Sequence, residues 1–311
     1  IKRRRHVPSS VFFYLSNSAV QMILLADSGA TKTDWCFGNT LHDCQVVHTE
    51  GINPFHLTEE KIKQLLQESL LAQLPFPQEE VKAIFFYGAG CTPEKAGKLS
   101  GLLAEAFPHA TIQVEGDLLG AARALCKHQP GIACILGTGA NSCLYDGQRI
   151  THNTPPLGYI LGDEGSGAYL GKRFIGDCIK QQLPSGLLEG LLKEYNLTVA
   201  EILDKVYRQP QGNRFLASLT PYIYKHKHQP EVREFLIECF GEFFRRNILS
   251  YPEHNRIPVS FVGSIAWFFQ DELKETARKF NLHTGIFIQS PIQELKGFHL
   301  PEKRKCVITR T

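Results

Sequence analysis

One methionine, Met22, and two tryptophans are all the chain holds of either residue in 311 positions, and no apolar stretch reaches the roughly 18–20 residues of a membrane-spanning helix. Its nine cysteines are odd in number, with no Cys-x-x-Cys pair and no regular spacing. That pattern argues against a disulfide framework and against a zinc site, and points to reduced, mostly buried thiols in a cytoplasmic protein. The histidines are scattered without metal-ligand spacing. Walker-type GxxxxGK[ST] is missing, so a phosphate site of that kind is excluded. A basic stripe is missing too. The net charge of +3 rests on Lys2, Arg3, Arg4 and Arg5, without which the chain is near neutral, and nucleic acid is not an expected partner.

What is present describes a globular protein. Hydrophobic residues make up 43% and charged residues 21%, with glycine and proline spread along the chain, and the length suits two domains with their own cores. Residues 1–21 combine a basic start with the short apolar run Val11 to Leu15, too short for a signal-peptide core of about 7–15 residues. We read 1–21 as an upstream extension or expression remnant, with Met22 as the start.

From Met22 the pattern is strand, polar turn, strand: Ile23 to Ala26, Asp27 to Lys32, Thr33 to Phe37. A third strand near Gln45 to His48 precedes a helix over about Thr58 to Ala72, with Ile62, Leu65, Leu66 and Leu70 on one face. Val81 to Tyr87 reads as a buried strand, Pro93 opens a helix to about Phe107, and the strand Thr111 to Glu115 leads through Gly116-Asp117 into a helix ending near Leu125. The second half restarts alike, with Ile132 to Leu136, Gly137-Thr138-Gly139 and Ser142 to Tyr145 again forming strand, glycine turn, strand. The echo predicts a duplicated α/β core. About 166–250 is a helical insertion, followed by a strand at Pro258 to Val262, a helix over Ile265 to Phe280 and a last strand at Gly285 to Gln289. The expected division is 22–117 for an N-terminal α/β lobe and 118–311 for a C-terminal one.

Asp27-Ser28-Gly29-Ala30-Thr31-Lys32-Thr33-Asp34 suits phosphate. Small residues expose backbone N–H groups, Thr31 and Thr33 bring hydroxyls, Lys32 brings charge, and a carboxylate at a strand end can hold Mg²⁺ through water. Taken alone it is also an ordinary hairpin turn. Asp117 sits at a strand-to-helix junction, where an aspartate serves either as a general base or as a helix cap. Asn53 before Pro54 reads as a turn residue or a ligand. Asp163-Glu164 are neighbours whose side chains diverge, which favours a binding role for Asp163 over a paired-carboxylate role. Cys91 reads as a bland small residue, since no partner base can be placed.

Together with Leu136 to Ser142 and the glycine turn in Phe261-Val262-Gly263-Ser264, the first turn resembles the two phosphate motifs and the adenosine motif of the actin and hexokinase superfamily. Within it the chain most resembles the N-acetylglucosamine kinase family, related to the activator ATPases of benzoyl-CoA reductase. Phe86 to Gly90, Val114 to Asp117 and Gly158 to Gly165 match that family in order. The resemblance implies two ribonuclease H-like α/β lobes with a cleft for ATP and sugar. It implies Mg²⁺ positioned by Asp27; nucleotide contacts from Thr31, Lys32, Thr33, Thr138, Gly139, Gly263 and Ser264; sugar contacts from Asn53, Asn141, Gly158 and Asp163; and Asp117 as the base. The expected reaction is ATP-dependent phosphorylation of an amino sugar such as N-acetylglucosamine at its 6-hydroxyl, by a homodimer. The alternative is an ATPase activator of a 2-hydroxyacyl-CoA dehydratase or benzoyl-CoA reductase type system. Ser28 and Ala30 stand where the family commonly has glycine, and Leu157 where relatives can carry tryptophan.

Overall fold

The computed structural model describes residues 22–29 and 31–300. The strands arise where apolar residues of high β propensity alternate or run together. β1 (Met22–Ser28), β2 (Lys32–Thr40), β3 (Asp43–Glu50), β4 (Val81–Gly88) and β5 (Thr111–Gly116) form one sheet in the order β3-β2-β1-β4-β5. β6 (Gly131–Leu136), β7 (Ala140–Tyr145), β8 (Ile150–Thr154), β9 (Val259–Val262) and β10 (Thr284–Ile288) form the other, in the order β10-β9-β6-β7-β8. Both follow one plan: three strands in an antiparallel meander, with the fourth and fifth added parallel beside the first. The duplication read from the two strand-turn-strand units is therefore present as topology.

Between β3 and β4 lies α1 (Glu59–Gln64), between β4 and β5 α2 (Pro93–Ala106), and after β5 comes α3 (Asp117–Cys126). Alternation along β1 sends Leu24 and Ala26 into a core with Leu65 and Leu103, and Ile23 and Leu25 to the opposite face. α4 (Gly158–Leu161) precedes the insertion, which supplies α5 (Gly167–Ile179), α6 (Ser185–Tyr195), α7 (Val199–Tyr207), α8 (Gly212–Ala217), α9 (Thr220–His226) and α10 (Pro230–Phe243). Phe174 of α5 and Phe240 and Phe243 of α10 pack with Cys134 and Leu136 of β6 in the largest core. On the other face of that sheet, Ala133 and Cys143 meet Leu118, Ala122 and Leu125 of α3. Because α3 also packs against β4 and β5, it is the helix shared by the two sheets, and Asp117 is its first residue.

Four elements depart from the sequence expectation. The helix over Thr58 to Ala72 winds normally only through α1 and then widens into a π-helical stretch, Leu65–Leu70, in which Leu65, Leu66 and Leu70 all stay buried. The helix over Ile265 to Phe280 is two, α11 (Ser264–Phe268) and α12 (Gln270–Lys279), broken at Phe269, whose ring is buried in the core while its backbone leaves helical angles (φ −106°, ψ 26°). β8 escaped notice because it is a mostly exposed edge strand with one large apolar residue, Ile150. α13 (Ile292–His299) follows the second sheet in the chain but packs on the first, Ile292 joining Ile23, Leu25 and Cys36. The reading of residues 1–21 lies outside the described residues.

Candidate active site

Register decides where the polar residues gather. Ser28 pairs with Gly88 and Gly88 with Gly116, so the carboxyl ends of parallel β1, β4 and β5 finish level. In open α/β sheets that is the edge at which ligands bind. Asp27, the Gly88-Ala89-Gly90 turn and Asp117 share it. Asp27 has its carboxyl pushed up to about 7, first by burial and then by the charges of Asp34 and Asp117, with Lys32 opposing. Gly116 occupies the cap position of α3, so Asp117 is not the cap; its Oδ1 accepts from the Leu118 amide at 2.9 Å. Burial holds the Asp117 carboxyl above its ordinary range, against backbone hydrogen bonds that lower it.

The first turn is closed by the Gly29 amide donating to the Lys32 carbonyl at 3.0 Å. Thr31 is exposed on it. Lys32 Nζ reaches both oxygens of Asp34, at 3.1 and 2.9 Å. Thr33 is buried beneath the turn, its hydroxyl 2.7 Å from Ser28 Oγ and donating to the Glu50 carbonyl at 3.1 Å. Its hydroxyl thus braces the turn from behind. Asn53 Oδ1 accepts from the Phe55 amide at 2.9 Å, a turn bond, and packs on Gly90, where a Cβ would come within 2.2 Å of that oxygen. Gly90 has φ +76°, so the contact needs glycine twice over.

The second sheet gathers its turns the same way. Ile135 and Ile288 both pair with Val262, which brings Gly137 and Gly263 to one edge. The opening amides of α5, from Gly167 and Ala168, donate to the carbonyls of Gly137 and Thr138 at 2.8 and 3.1 Å, so this turn lies across the positive end of a helix. Gly263, at φ +118°, presses on it, since a Cβ there would stand 2.3 Å from the Leu136 carbonyl oxygen. Ser264 is exposed at the start of α11.

Asp163 reaches the same turn. Its Oδ1 accepts from the Ala140 amide at 3.4 Å, and a Cβ on Gly139 would meet its Oδ2 at 3.2 Å. Burial is the main reason its carboxyl is pushed up to about 6. The loop leading to it is tied off by the Asp163 amide on the Pro156 carbonyl at 2.8 Å and carries Gly158, exposed at φ +74°. Asn141 takes a different direction, its Oδ1 accepting from Asn153 Nδ2 of β8 at 2.9 Å. Glu164 turns away from Asp163 toward Asn247 and Arg246, at 3.5 and 3.7 Å, so the neighbouring carboxylates do diverge. The structure therefore joins Asp27 with Lys32 and Asp117, and Thr138, Gly139 and Asp163 with Gly263, while Asn53 and Asn141 are each engaged with another partner.

Sequence reasoning passed over Asp34, His48, Ser290 and Lys172. Asp34 closes the first motif and lies two residues from Lys32 on a strand, which was the available signal. Lys172 Nζ donates to the Tyr159 carbonyl at 2.7 Å and so pins α4, a contact no spacing announces. Cys91 has its thiol pushed up to about 12, chiefly by burial, which suits an unreactive residue. Cys134, Cys143 and Cys178 are buried. Among the described residues no group of three or more His, Cys, Asp or Glu encloses a metal ion, and no helix is long and apolar enough to cross a membrane. The charge excess around Asp27 nonetheless fits Mg²⁺, which takes one or two carboxylates and completes its shell with water and phosphate.

No family model and no curated protein matches the chain. Solved structures do. A candidate N-acetylglucosamine kinase from Porphyromonas gingivalis is 46% identical, with a TM-score of 0.86 over 89% of this chain and 98% of that one. Another from Chromobacterium violaceum superposes with a TM-score of 0.70 over 90% and 99% of the two chains, at 18% identity. MreB 5 of Spiroplasma citri, bound to AMPPNP, reaches 0.58 over 91% and 97%, at 12% identity. The last two, at 18% and 12% identity, show a shared fold.

Proposed function

Since the chain belongs to the N-acetylglucosamine kinase family, we propose that it transfers the γ-phosphoryl group of ATP to the 6-hydroxyl of an amino sugar, most simply N-acetylglucosamine. One observation carries this reading. Two carboxylates, Asp27 and Asp117, stand at the ligand-binding edge of one sheet close enough to raise the proton affinity of Asp27, and the corresponding edge of the other sheet presents a glycine turn over a helix start. The first supplies a base and a cation site, and the second a small-residue turn that phosphate can approach closely.

Phosphoryl transfer asks mainly for positioning and charge stabilisation. Thr31, Lys32, Thr138 and Gly139 hold the phosphates, with Gly263 and Ser264 on the adenosine side, while Thr33 keeps the first turn in shape. Asp27 would hold Mg²⁺ through water, where the ion neutralises phosphate charge when bound. Asp163, Gly158, Asn53 and Asn141 hold the sugar; Asn141 does so through its amide nitrogen, since its oxygen already accepts from the Ser142 amide and from Asn153. Asp117 takes the proton of the attacking hydroxyl, and burial, by raising its proton affinity, makes it a stronger base. Lobe closure excludes water from the phosphate. We place the enzyme in the cytoplasm as a homodimer, the commonest closed oligomer. The activator reading would need cysteines presented at a surface to bridge a cluster, and the buried Cys134, Cys143 and Cys178 give it no support.

The test is ADP release by the full chain with Mg-ATP and a panel of N-acetylglucosamine, glucosamine, N-acetylmuramic acid and glucose. Release that depends on one of the N-acetylated sugars, with the phosphate located on the 6-oxygen by NMR, is the expected result. Hydrolysis indifferent to sugar would sink the kinase reading.

A further inference from the structure

On the face of the first sheet turned toward α13, β1 and β2 present Ile23, Leu25 and Cys36 and then become polar at the last rung. There His48 pairs with Asp34, Asp34 with Asp27, Asp27 with Tyr87 and Tyr87 with Glu115, a row of five titratable residues straight across the sheet. Two carboxylates directly opposite on adjacent strands repel. Asp34 is moreover only 3% exposed, and a buried charge costs several kcal/mol unless it is well paired. Its pairing is correspondingly dense. Lys32 Nζ lies 2.9 and 3.1 Å from its two oxygens, His48 Nδ1 lies 2.7 Å from Oδ1, and Ser290 Oγ donates to Oδ2 at 3.4 Å. Ser290 comes from the turn after β10, in the other sheet.

The Lys32 side chain is 63% exposed although its acceptor is buried, so its ammonium stands at the surface of the turn. An ammonium has three donors, of which Asp34 engages two and leaves one for a ligand. On a flexible four-carbon stem that charge would otherwise sample many positions. We propose that Asp34 is the positioning residue for Lys32: it fixes the ammonium over the Asp27 to Lys32 turn, aimed at the nucleotide phosphates, and through Ser290 it ties that turn to the second lobe. This rests on the reading above that the turn binds nucleotide.

Asp34→Asn keeps the volume and an oxygen acceptor but removes the charge. The measurement is the Kd for Mg-AMPPNP by calorimetry, with KM for ATP and for sugar, in the wild type, Asp34→Asn, Lys32→Met and the double variant. Asp34→Asn is expected to weaken nucleotide binding about tenfold, the worth of a charged hydrogen bond, with the sugar KM within about twofold. In the Lys32→Met background the same change is expected to do nothing further. Additive losses, or a lowered Tm with unchanged nucleotide Kd, would show a purely structural carboxylate and overturn the proposal. Should Asp34→Asn not fold, Asp34→Glu, which moves the charge by one methylene, enters the same cycle under the same two outcomes. A wild type that binds nucleotide without phosphorylating sugar would remove the kinase reading alone, and the Kd cycle would still decide the role of Asp34. A wild type that binds no adenine nucleotide removes both.

Discussion

The two sheets share strand order and strand direction but not chemistry. The closing pair of the first hairpin, Ser28 with Thr33, corresponds to Leu136 with Ala140 in the second, and the rung beneath is Asp27 with Asp34 in one and Ile135 with Asn141 in the other. After the fourth strand comes Gly88-Ala89-Gly90 in one sheet and Gly263-Ser264 in the other; after the fifth comes Asp117 in one and Gln289-Ser290 in the other. Topology thus fixes the places, and residue type divides the labour among them. One edge carries carboxylates and an ammonium, which need burial and mutual pairing to act. The other carries mainly backbone, which needs glycine to bring its amides and carbonyls close, with the Asp163 carboxylate laid against it.

The division predicts that the two edges fail differently. Asp117→Asn, on the charged edge, is expected to lower kcat by about 10²–10⁴-fold while sugar binding by calorimetry changes little and Tm does not fall, because a carboxylate that burial disfavours is being replaced by a neutral group. Gly263→Ala, on the backbone edge, is expected to do the reverse. Its methyl would stand 2.3 Å from the Leu136 carbonyl oxygen at a φ of +118°, which only glycine adopts readily. Strain of this kind costs about 1–3 kcal/mol, seen as a lower Tm and a several-fold higher KM for ATP with the sugar KM nearly kept. Equal effects of both changes on stability and on turnover would dissolve the comparison.

Much of this plan was readable from the residues, and the exceptions share a cause. β1, β4 and β6 stand out because buried runs bounded by glycine or aspartate turns have few other readings, and Gly137 and Gly263 stand out because a turn after a strand announces itself. α13 did not, since Ile292 and Leu295 find their partners on a sheet formed more than two hundred residues earlier. The inward use of the Thr33 hydroxyl was equally hidden. Only the pairing of β2 with β3 sets it beside Glu50. Asp34 was visible but unread, because its meaning comes from its cross-strand neighbours Asp27 and His48, which sequence separation conceals.

The smallest effect separates the two edges most cleanly, because it concerns stability alone. The Asp27 carboxyl is raised from 3.8 to about 7. The folded protein therefore keeps a proton that the unfolded chain releases, so the contribution of this group is complete below about pH 4 and is lost as pH rises through about 7. Wild-type stability should fall across that window. Asp27→Asn, neutral throughout, should be more stable than wild type at pH 8 by about 2 kcal/mol, roughly half of what the full shift converts to at 1.36 kcal/mol per unit, and indistinguishable from it at pH 4. Urea unfolding at the two pH values measures both differences. Asn141, at the place of Asp34 on the second sheet, offers the control: Asn141→Ala has no carboxylate to relieve and should shift stability equally at pH 4 and pH 8. If Asp27→Asn were instead destabilising at pH 8, the attraction of Lys32 would outweigh burial and the repulsion of Asp34 and Asp117, and the first edge would be a satisfied ion-pair network rather than one short of a cation.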